Sequence, residues 1–327
     1  MGQQEAREFL VIGEALIDIA QRYAENPVEH VGGSPANVAV GLARLDNTVQ
    51  FATCLGDDAR GERIRSHLSR RNVTVISKPT ERATSTAQAN IDEGGAATYL
   101  FDITWDPGVI ELGEEIGHIH TGSIGAVLLP GTDDVVRALQ QGREQATVSY
   151  DPNVRPTIMG DLDKVRAQIE SIIGYSDVVK ASSDDLELLY PGMSIEAILT
   201  RWGTLGPTLT VATRAADGVS FRLTNSGDFV TLAAPPTRVV DTVGAGDSFM
   251  AGLLSGLSSS GLIGGVDARD RAIMGMALFV GLGFHSVGFS PLLRAHYVHG
   301  DRRLDRAVVD LELRAQVVER QLAATAA

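Results

Sequence analysis

Short apolar, often β-branched runs alternate along the chain with segments of helical periodicity, and this rhythm limits the fold more than any other feature. Such alternation predicts strand–helix–strand units, whose strands pair in parallel with helices on both faces of the sheet. We therefore expect a doubly wound, mostly parallel α/β fold, in which ligands bind at the carboxyl ends of the strands. The predicted strands are residues 9–12, 49–53, 116–121, 146–151, 178–180 and 208–213, and the predicted helices are residues 35–45, 61–70, 132–145 and 161–173.

Two segments interrupt this rhythm. Residues 13–31 follow the first strand without helical periodicity, and residues 87–91 and 96–103 alternate around Asp92-Glu93-Gly94-Gly95, which predicts a hairpin. Together they predict a small β-sheet lid, formed from about 14–31 and 87–106, on a main domain of residues 1–300. The segment 301–327 is amphipathic and predicts a C-terminal helix used for packing or oligomerisation.

A glycine turn precedes a strongly apolar helical segment near residue 249. A strand at residues 238–240 leads into the turn, and Gly244, Ala245 and Gly246 leave backbone N–H groups uncovered at the helix start. Such a helix N-terminus binds anions. A carboxylate at that place, Asp247, is disfavoured by like-charge repulsion, which suggests a proton acceptor beside a reacting phosphate. The plain alternative is that Asp247 only caps the helix.

A second glycine pair opens the helix at residue 35. Ser34 is a good N-cap, and the adjacent glycines Gly32 and Gly33 would let a ligand approach the backbone closely. Asn37 could then hold sugar hydroxyls. Asp18 lies between two isoleucines, where a carboxylate that accepts two hydroxyls would be satisfied. The alternatives are an ordinary turn and a surface strand residue.

Composition excludes several classes of partner. The chain has 327 residues and a formal net charge of −13, with no basic cluster apparent in the sequence, which argues against nucleic acid and anionic membranes. The single cysteine, Cys54, allows no internal disulfide and fits a reducing cytoplasm. The N-terminal sequence has no basic segment followed by a long apolar run, so neither a signal peptide nor a membrane span is expected.

Four motifs in fixed order carry a resemblance to a known family. They are residues 13–18 (GEALID), 32–39 (GGSPANVA), 151–156 (DPNVRP) and 241–249 (DTVGAGDSF). The chain resembles the ribokinase-like, phosphofructokinase-B type carbohydrate kinases, and most of all the bacterial fructokinases. The order and spacing hold from about residue 9 to about residue 292, so the resemblance covers most of the chain.

The resemblance implies transfer of the ATP γ-phosphoryl group to a sugar hydroxyl. Asp247 would be the general base, and Gly244, Ala245 and Gly246 would form the anion hole. Mg²⁺ would travel with ATP, and a homodimer through the lid is left open. The resemblance implies that the sugar is contacted by Asp18, Gly32, Gly33, Asn37, Phe101 and Arg155. It implies that the nucleotide is contacted by Asn153, Lys180, Asp185, Thr213, Arg214 and Gly218. It implies that a K⁺ ion lies beside Asp241, Val243 and Gly288. A surface arginine and a core phenylalanine are the alternatives for Arg155 and Phe101.

The chain departs from the family pattern at several positions. Position 215 is Ala where the family has Gly, and Ser182 with Asp185 replaces the usual Asn-x-x-Glu. Phe289 stands where the family has a small residue, which leaves K⁺ dependence open. The segment 102–105 differs from the fructokinase lid, which weakens the assignment of fructose.

We therefore expect an ATP-dependent sugar kinase, with the 6-hydroxyl of fructose as the first candidate acceptor. One alternative acceptor is another sugar, or a sugar acid such as 2-keto-3-deoxygluconate. The carboxylate of a sugar acid needs cationic groups, and Arg155 alone provides little positive charge for it. A second alternative is a sensor that binds sugar and nucleotide without turnover. Asp247 argues against the sensor, because mere binding has no need of a costly carboxylate at an anion hole.

Overall fold

The computed structural model describes residues 7–23, 25–91, 97–234 and 244–268. These residues form thirteen strands, eight α-helices and two short 3₁₀ helices. The strands are β1 (Glu8–Ile12), β2 (Leu16–Arg22), β3 (Val28–Gly32), β4 (Val49–Gly56), β5 (Val73–Thr80), β6 (Thr86–Ile91), β7 (Ala97–Asp102), β8 (Ile116–Gly122), β9 (Thr147–Asp151), β10 (Val178–Ser182), β11 (Leu209–Thr213), β12 (Val219–Leu223) and β13 (Phe229–Leu232). The α-helices are α1 (Ser34–Arg44), α2 (Ala59–Ser69), α3 (Gly131–Gly142), α4 (Pro156–Met159), α5 (Leu162–Ile173), α6 (Ser183–Leu189), α7 (Ile195–Gly203) and α8 (Ala245–Ser259).

The main sheet has nine strands in the order β13-β12-β11-β10-β9-β8-β1-β4-β5. The strands from β11 to β5 run parallel, and β12 and β13 extend one edge in antiparallel pairing. The chain passes from β1 to β4 on one side and later enters β8 on the other, so the strand order reverses between β1 and β8. In open α/β sheets, ligands bind at such a reversal, outside the carboxyl ends of the strands.

Two hydrophobic cores cover the two faces of the main sheet. Successive side chains of a strand point to opposite faces, and β1 follows this rule. Phe9 and Val11 are buried with residues of α1, α2 and α8, while Leu10 and Ile12 are buried with residues of α3, α5, α6 and α7. The predicted doubly wound fold, with helices on both faces of a mostly parallel sheet, is confirmed.

Helices α1 and α8 lie side by side and run in the same direction. A Cβ atom on Gly41 would lie only 2.6 Å from the Cβ of Ala251, so the glycine permits a close approach of the two backbones. Near the far ends of the helices, Asn47 donates a hydrogen bond to Ser255. This packing brings the first turns of α1 and α8 together at the carboxyl edge of the sheet.

A second, smaller sheet has the order β3-β2-β6-β7. It is built from the two segments that were expected to interrupt the α/β rhythm, and β2 pairs with β6 in parallel while the outer pairs are antiparallel. Ile17 and Ile19 are buried, and Asp18 between them is exposed on the opposite face. The predicted hairpin turn, the predicted strand 238–240 and the predicted C-terminal helix lie outside the described residues.

Candidate active site

The first turn of α8 carries Asp247 at the edge of the main sheet. The helix is preceded by Gly244 as its N-cap, with φ of 73° in the left-handed region that favours glycine, and no side chain caps this end. The N-cap itself therefore offers no side-chain acceptor to the first N–H groups of α8. The interpretation of Asp247 as a helix cap is wrong, since its carboxylate is engaged elsewhere.

Both carboxylate oxygens of Asp247 accept hydrogen bonds from α1. Ser34 Oγ donates to Oδ1 at 2.7 Å, and Asn37 Nδ2 donates to Oδ2 at 2.8 Å. The residue is only 9% exposed. Two side chains on a neighbouring helix thus fix the orientation of a buried acid beside a glycine turn.

These two bonds change the interpretation of α1. Ser34 was expected to cap the helix, but the N-cap is Gly33, without a side-chain capping bond. The Ser34 hydroxyl serves the carboxylate instead, because a charged acceptor makes the stronger hydrogen bond. Asn37 was expected to hold sugar hydroxyls, and in this structure its amide nitrogen is committed to Asp247.

Glu14, directly after β1, is a second buried acid near Asp247. The N–H of Gly125 donates to its Oε2 at 2.9 Å, and a hydrogen bond joins it to the Ser123 side chain. Burial raises the pKa of Glu14 to about 7; the hydrogen bonds lower it, and the negative charge of Asp247 raises it. Ser123 also accepts a hydrogen bond from Asn153 Nδ2 at 3.2 Å, so Asn153 contacts this cluster.

A buried ion pair lies on the other side of the turn. Lys180 Nζ contacts Asp151 Oδ2 at 2.7 Å, and both side chains are almost fully buried. A Cβ atom on Gly246 would lie 3.1 Å from Lys180 Nζ, so the ammonium group lies against the glycine turn. The pKa of Asp151 is raised to about 6, first by burial and also by the charges of Asp185 and Asp247, against the opposing effect of Lys180.

Asp185 is bound by the protein at both oxygens. Its Oδ1 accepts from the N–H of Val154 at 2.8 Å, and its Oδ2 accepts from the N–H of Ser182 at 2.9 Å. It also completes a capping box with Ser182 at the start of α6. The short residues that replace the family's Asn and Glu are therefore paired with each other.

The predicted nucleotide residues after β11 form a tight turn. Thr213 ends the strand, and Arg214 donates to Ser220 Oγ at 3.2 Å. Gly218 has φ of 92°, and a Cβ there would lie 2.0 Å from the carbonyl oxygen of Leu232, so the backbone itself requires glycine. Ala215 has φ of 46°, an unfavourable conformation for alanine that the family's glycine would adopt freely.

The glycines Gly32 and Gly33 make room for protein atoms. A Cβ on Gly32 would lie 1.9 Å from Asp18 Oδ2, and one on Gly33 would lie 2.5 Å from the carbonyl oxygen of Glu14. Gly33 also has φ of 108°. Protein atoms therefore lie close to both glycines, and their contact with sugar stays a prediction.

The remaining predicted sugar residues lie on or near the small sheet. Partial desolvation raises the pKa of Asp18, while His30 and Arg155 lower it. Arg155 is exposed, and its guanidinium donates to the carbonyl of Val154 at 3.0 Å. Phe101 lies on the edge strand β7, 36% exposed, and stacks on Tyr99 at 6.1 Å, so it is not a core residue.

The predicted K⁺ residues Asp241, Val243 and Gly288 lie outside the described residues. Within residues 7–23, 25–91, 97–234 and 244–268, no three histidine, cysteine, aspartate or glutamate side chains are grouped as metal ligands would be. In that same part of the chain, no helix is long and apolar enough to cross a bilayer.

Four residues of this cluster were not predicted to belong to the site. Asp151 ends β9, and Glu14 lies two residues after the end of β1, both near the reversal of strand order, and this position was a usable signal for both. Ser34 was seen only as a cap. Ser123 carried no local signal, because its role depends on contacts with residues distant in sequence.

Comparisons with known proteins agree on one family and one fold. The family model described as pfkB family carbohydrate kinase matches residues 6–277. A fructokinase from Klebsiella pneumoniae is 30% identical over 262 residues, covering 77% of this chain and 85% of that protein.

Two solved structures with bound ligands are also similar. A double mutant of fructokinase from Vibrio cholerae O395, in a form with fructose, ADP and potassium ion bound, has a TM-score of 0.67 and 26% identity, covering 79% of this chain and 85% of that one. Aminoimidazole riboside kinase from Salmonella enterica, complexed with aminoimidazole riboside and an ATP analog, has a TM-score of 0.64 and 28% identity, covering 77% and 85%.

Proposed function

The chain belongs to the pfkB family of carbohydrate kinases, and from this membership we propose that it transfers the γ-phosphoryl group of ATP to the 6-hydroxyl of fructose. The fructokinases among its relatives support fructose as the acceptor. The observation that carries the catalytic part of the proposal is the arrangement of Asp247, a buried carboxylate fixed through both oxygens beside a glycine turn at a helix N-terminus.

Asp247 acts as the general base in this proposal. The sugar hydroxyl gives its proton to the Asp247 carboxylate while its oxygen bonds to the γ-phosphorus. The bond between that phosphorus and the bridging oxygen breaks, and ADP leaves with the electron pair. Ser34 and Asn37 hold the carboxylate in one orientation, which suits a base that must meet the hydroxyl at a fixed angle.

Positive charge at the turn stabilises the phosphoryl group in transit. The N–H groups at Gly244–Gly246 form the anion hole, and Lys180 adds a buried ammonium group against Gly246. Because the chain is acidic overall, this local supply is needed to hold ATP. Lys180, Thr213, Arg214 and Gly218 are assigned to the nucleotide side, together with Asn153 and Asp185.

Asp151 suits the Mg²⁺ that accompanies ATP in such reactions. Its Oδ1 is buried and has no hydrogen-bond partner among the described residues, and a carboxylate oxygen is the ligand type that Mg²⁺ prefers. When bound, the metal supplies positive charge to the phosphate oxygens. We assign the K⁺ site to Asp241, Val243 and Gly288, and the potassium ion in the Vibrio cholerae fructokinase supports testing for one.

The small sheet is assigned as a lid over the sugar. Asp18, on its exposed face, and Arg155 are close enough for their charges to interact, and we assign both to the sugar. Gly32, Gly33, Asn37 and Phe101 complete the proposed sugar contacts. Closure of this sheet would exclude water, which otherwise competes with the sugar as the nucleophile.

A coupled assay of ADP release across a sugar panel tests the function. The panel contains fructose, glucose, ribose, 2-keto-3-deoxygluconate and, because of the Salmonella enterica relative, aminoimidazole riboside. We expect the highest kcat/KM with fructose, and phosphorus NMR should place the phosphate on the 6-oxygen. ATP without sugar is the control for simple hydrolysis.

Two results would contradict the proposal. A higher kcat/KM with another acceptor would reassign the substrate within the family. ADP release no higher than the sugar-free control, with sugar and ATP both bound in calorimetry, would favour the sensor.

A further inference from the structure

One face of α2 concentrates positive charge in an acidic protein, so the expectation that the chain has no basic cluster was wrong. Arg63, Ser66, His67 and Arg70 are spaced three and four residues apart and therefore share one side of the helix, and Arg71 follows directly. The chain as a whole carries a formal net charge of −13. Local clustering of this kind, against the overall charge, calls for a specific partner.

A cavity of about 530 Å³ lies between this helix face and strand β3 of the small sheet. We call it the α2–β3 pocket. It is separate from the glycine turn and from the residues assigned above to sugar and nucleotide. Its lining residues are His30, Val31, Arg63, Ser66, His67, Arg70 and Arg71.

The positive charge of the pocket is only partly neutralised. Glu29 on β3 forms ion pairs with Arg60 and with Arg63, the latter at 3.2 Å. Arg70 and Arg71 form no ion pair with a carboxylate in the part of the chain that the structure describes. The pocket therefore keeps guanidinium groups whose charge no described carboxylate balances.

Burial and mutual repulsion both act on the titrating groups of the pocket. The pKa of His67 is lowered to about 4, first by desolvation and also by the nearby charges of Arg71, Arg44 and Arg63. Desolvation also lowers the pKa of Arg71, with contributions from Arg44 and Arg70. An anion bound among these groups would relieve that repulsion.

We propose that the α2–β3 pocket binds a small phosphate-bearing anion. Guanidinium groups offer paired N–H donors that match phosphate oxygens, and a neutral His67 adds a further donor at the same wall. The Ser66 hydroxyl is already engaged, because it donates to Glu62 Oε1 at 3.1 Å. The anion is inorganic phosphate or the phosphoryl group of a sugar phosphate or nucleotide. All three present the same chemistry to the pocket.

The pocket joins the main domain to the small sheet. His30 lies opposite Asp18 in the pairing of β2 with β3, and Glu29 on the same strand shares Arg63 with the pocket. A bound anion would compete with Glu29 for Arg63 and alter the charge beside Asp18. The site is therefore linked to sugar affinity, a consequence that rests on the proposed function, and such coupling is reciprocal.

Calorimetric titration tests the site without turnover. Inorganic phosphate, fructose 6-phosphate and ADP are titrated into wild type, into the double variant Arg70→Gln/Arg71→Gln and into Arg65→Gln. Arg65 lies on the opposite side of the same helix and does not line the pocket, so its variant controls for the loss of a positive charge elsewhere on α2. We expect the double variant to weaken one binding component about tenfold or more, and the control to leave it unchanged.

A charge-preserving variant separates binding from folding. Arg70→Lys/Arg71→Lys keeps the charge but not the paired donors, so its affinity should lie between those of wild type and the double glutamine variant. Circular dichroism checks that α2 is intact in each variant. The ligand with the tightest pocket component identifies the source of the phosphate group. Sugar affinity should shift with saturating anion in wild type and in Arg65→Gln, but not in the double glutamine variant.

Two results would overturn the site, and one would overturn its link to the sugar. Equal binding of all three ligands to wild type and the double variant would mean that the arginines only serve the end of α2, where Arg71 already donates to the His67 carbonyl. Equal losses in Arg65→Gln would mean diffuse charge only. Unchanged sugar affinity at saturating anion would overturn the coupling. Because binding is measured without catalysis, failure of the kinase proposal would leave the anion result standing.

Discussion

Three carboxylates lie within electrostatic reach of one another at the edge of the main sheet. Glu14, Asp151 and Asp247 are all buried, and the charge of Asp247 raises the pKa of the other two. Burial of like charges is costly unless some are neutralised. Lys180 neutralises Asp151, and Glu14 responds by retaining its proton to higher pH.

Glu14 should make the protein less stable as pH rises. Its pKa is about 7 when folded, against an ordinary value of 4.5, so the folded state holds a proton that the unfolded state loses between these values. The contribution is complete below the unfolded pKa and is lost as pH rises through the folded one. Glu14→Gln should remove this loss and stabilise the protein by roughly 2–3 kcal/mol at about pH 8, with little change at about pH 4.

Chemical denaturation at both pH values measures this effect. Glu111→Gln is the control, because that glutamate is exposed. A gain in stability that is the same at both pH values would contradict the assignment of the titration to Glu14.

Variants of the Lys180–Asp151 pair should distinguish a structural role of Lys180 from a catalytic one. Lys180→Met leaves Asp151 buried without its cation, which should cost about 3–5 kcal/mol of stability. Adding Asp151→Asn removes the stranded charge and should restore much of that loss, but not the activity. Recovery of ADP release in the double variant would show that the ammonium group is dispensable for phosphoryl transfer.

Sequence singled out Asp247 as the candidate base but not the side chains that hold it. Asp247 drew attention because a carboxylate beside a glycine turn is disfavoured there, with helix capping as its plain alternative. Ser34, which holds it, is 213 positions away in sequence, and no local pattern encodes a bond across that distance. The same limit applies to Ser123, whose contacts come from Glu14 and Asn153.

At the scale of elements, the packing of α1 against α8 places Ser34 and Asn37 beside Asp247. The close contact of Gly41 with Ala251 sets the spacing of α1 and α8, and hence the reach of Ser34 and Asn37 to Asp247. A side chain at position 41 would push the helices apart. Because the site lies at the first turns of both helices, a small displacement there would lengthen both hydrogen bonds to the carboxylate.

Gly41→Val should therefore impair both folding and catalysis. Overpacking should cost about 1–3 kcal/mol of stability, measured by denaturation, and ADP release should fall more than stability alone explains. The double variant Gly41→Ala/Ala251→Gly keeps the total side-chain volume at this contact. It should therefore keep most of the stability and ADP release that Gly41→Val loses. Full activity in Gly41→Val would contradict the link between helix spacing and the base.

Elements with strong periodicity were predicted, and elements held by context were not. Six strands of the main sheet and four helices agree with the sequence to within a few residues, as does the start of α8: β1, β4, β8, β9, β10 and β11, and α1, α2, α3 and α5. Strand β5 and helix α7 were not predicted. Helix α6 has only seven residues and depends on its capping box, and β12 and β13 extend the sheet edge. Short elements of this kind gain stability from packing rather than from their own pattern.

At the scale of the whole molecule, the site is assembled from distant parts of the fold. Strands β1, β8 and β9 end beside the reversal of strand order, and they supply Glu14, the turn at Ser123 and Asp151. Helices α1 and α8 add Asp247, the proposed base, and the side chains that hold it, while the small sheet carries Asp18 on its exposed face. The doubly wound topology could be predicted from the rhythm of the sequence, and it determines that these parts meet.

Replacement of Asp247 by asparagine tests the central claim most directly. Asn keeps the size of the side chain and can still accept from Ser34, but it cannot take a proton from the sugar. Turnover is measured by ADP release with fructose and ATP, and binding of each by calorimetry. The account predicts that kcat falls by about 10²–10⁴-fold while both affinities change by no more than about threefold. A kcat within about twofold of wild type would contradict it.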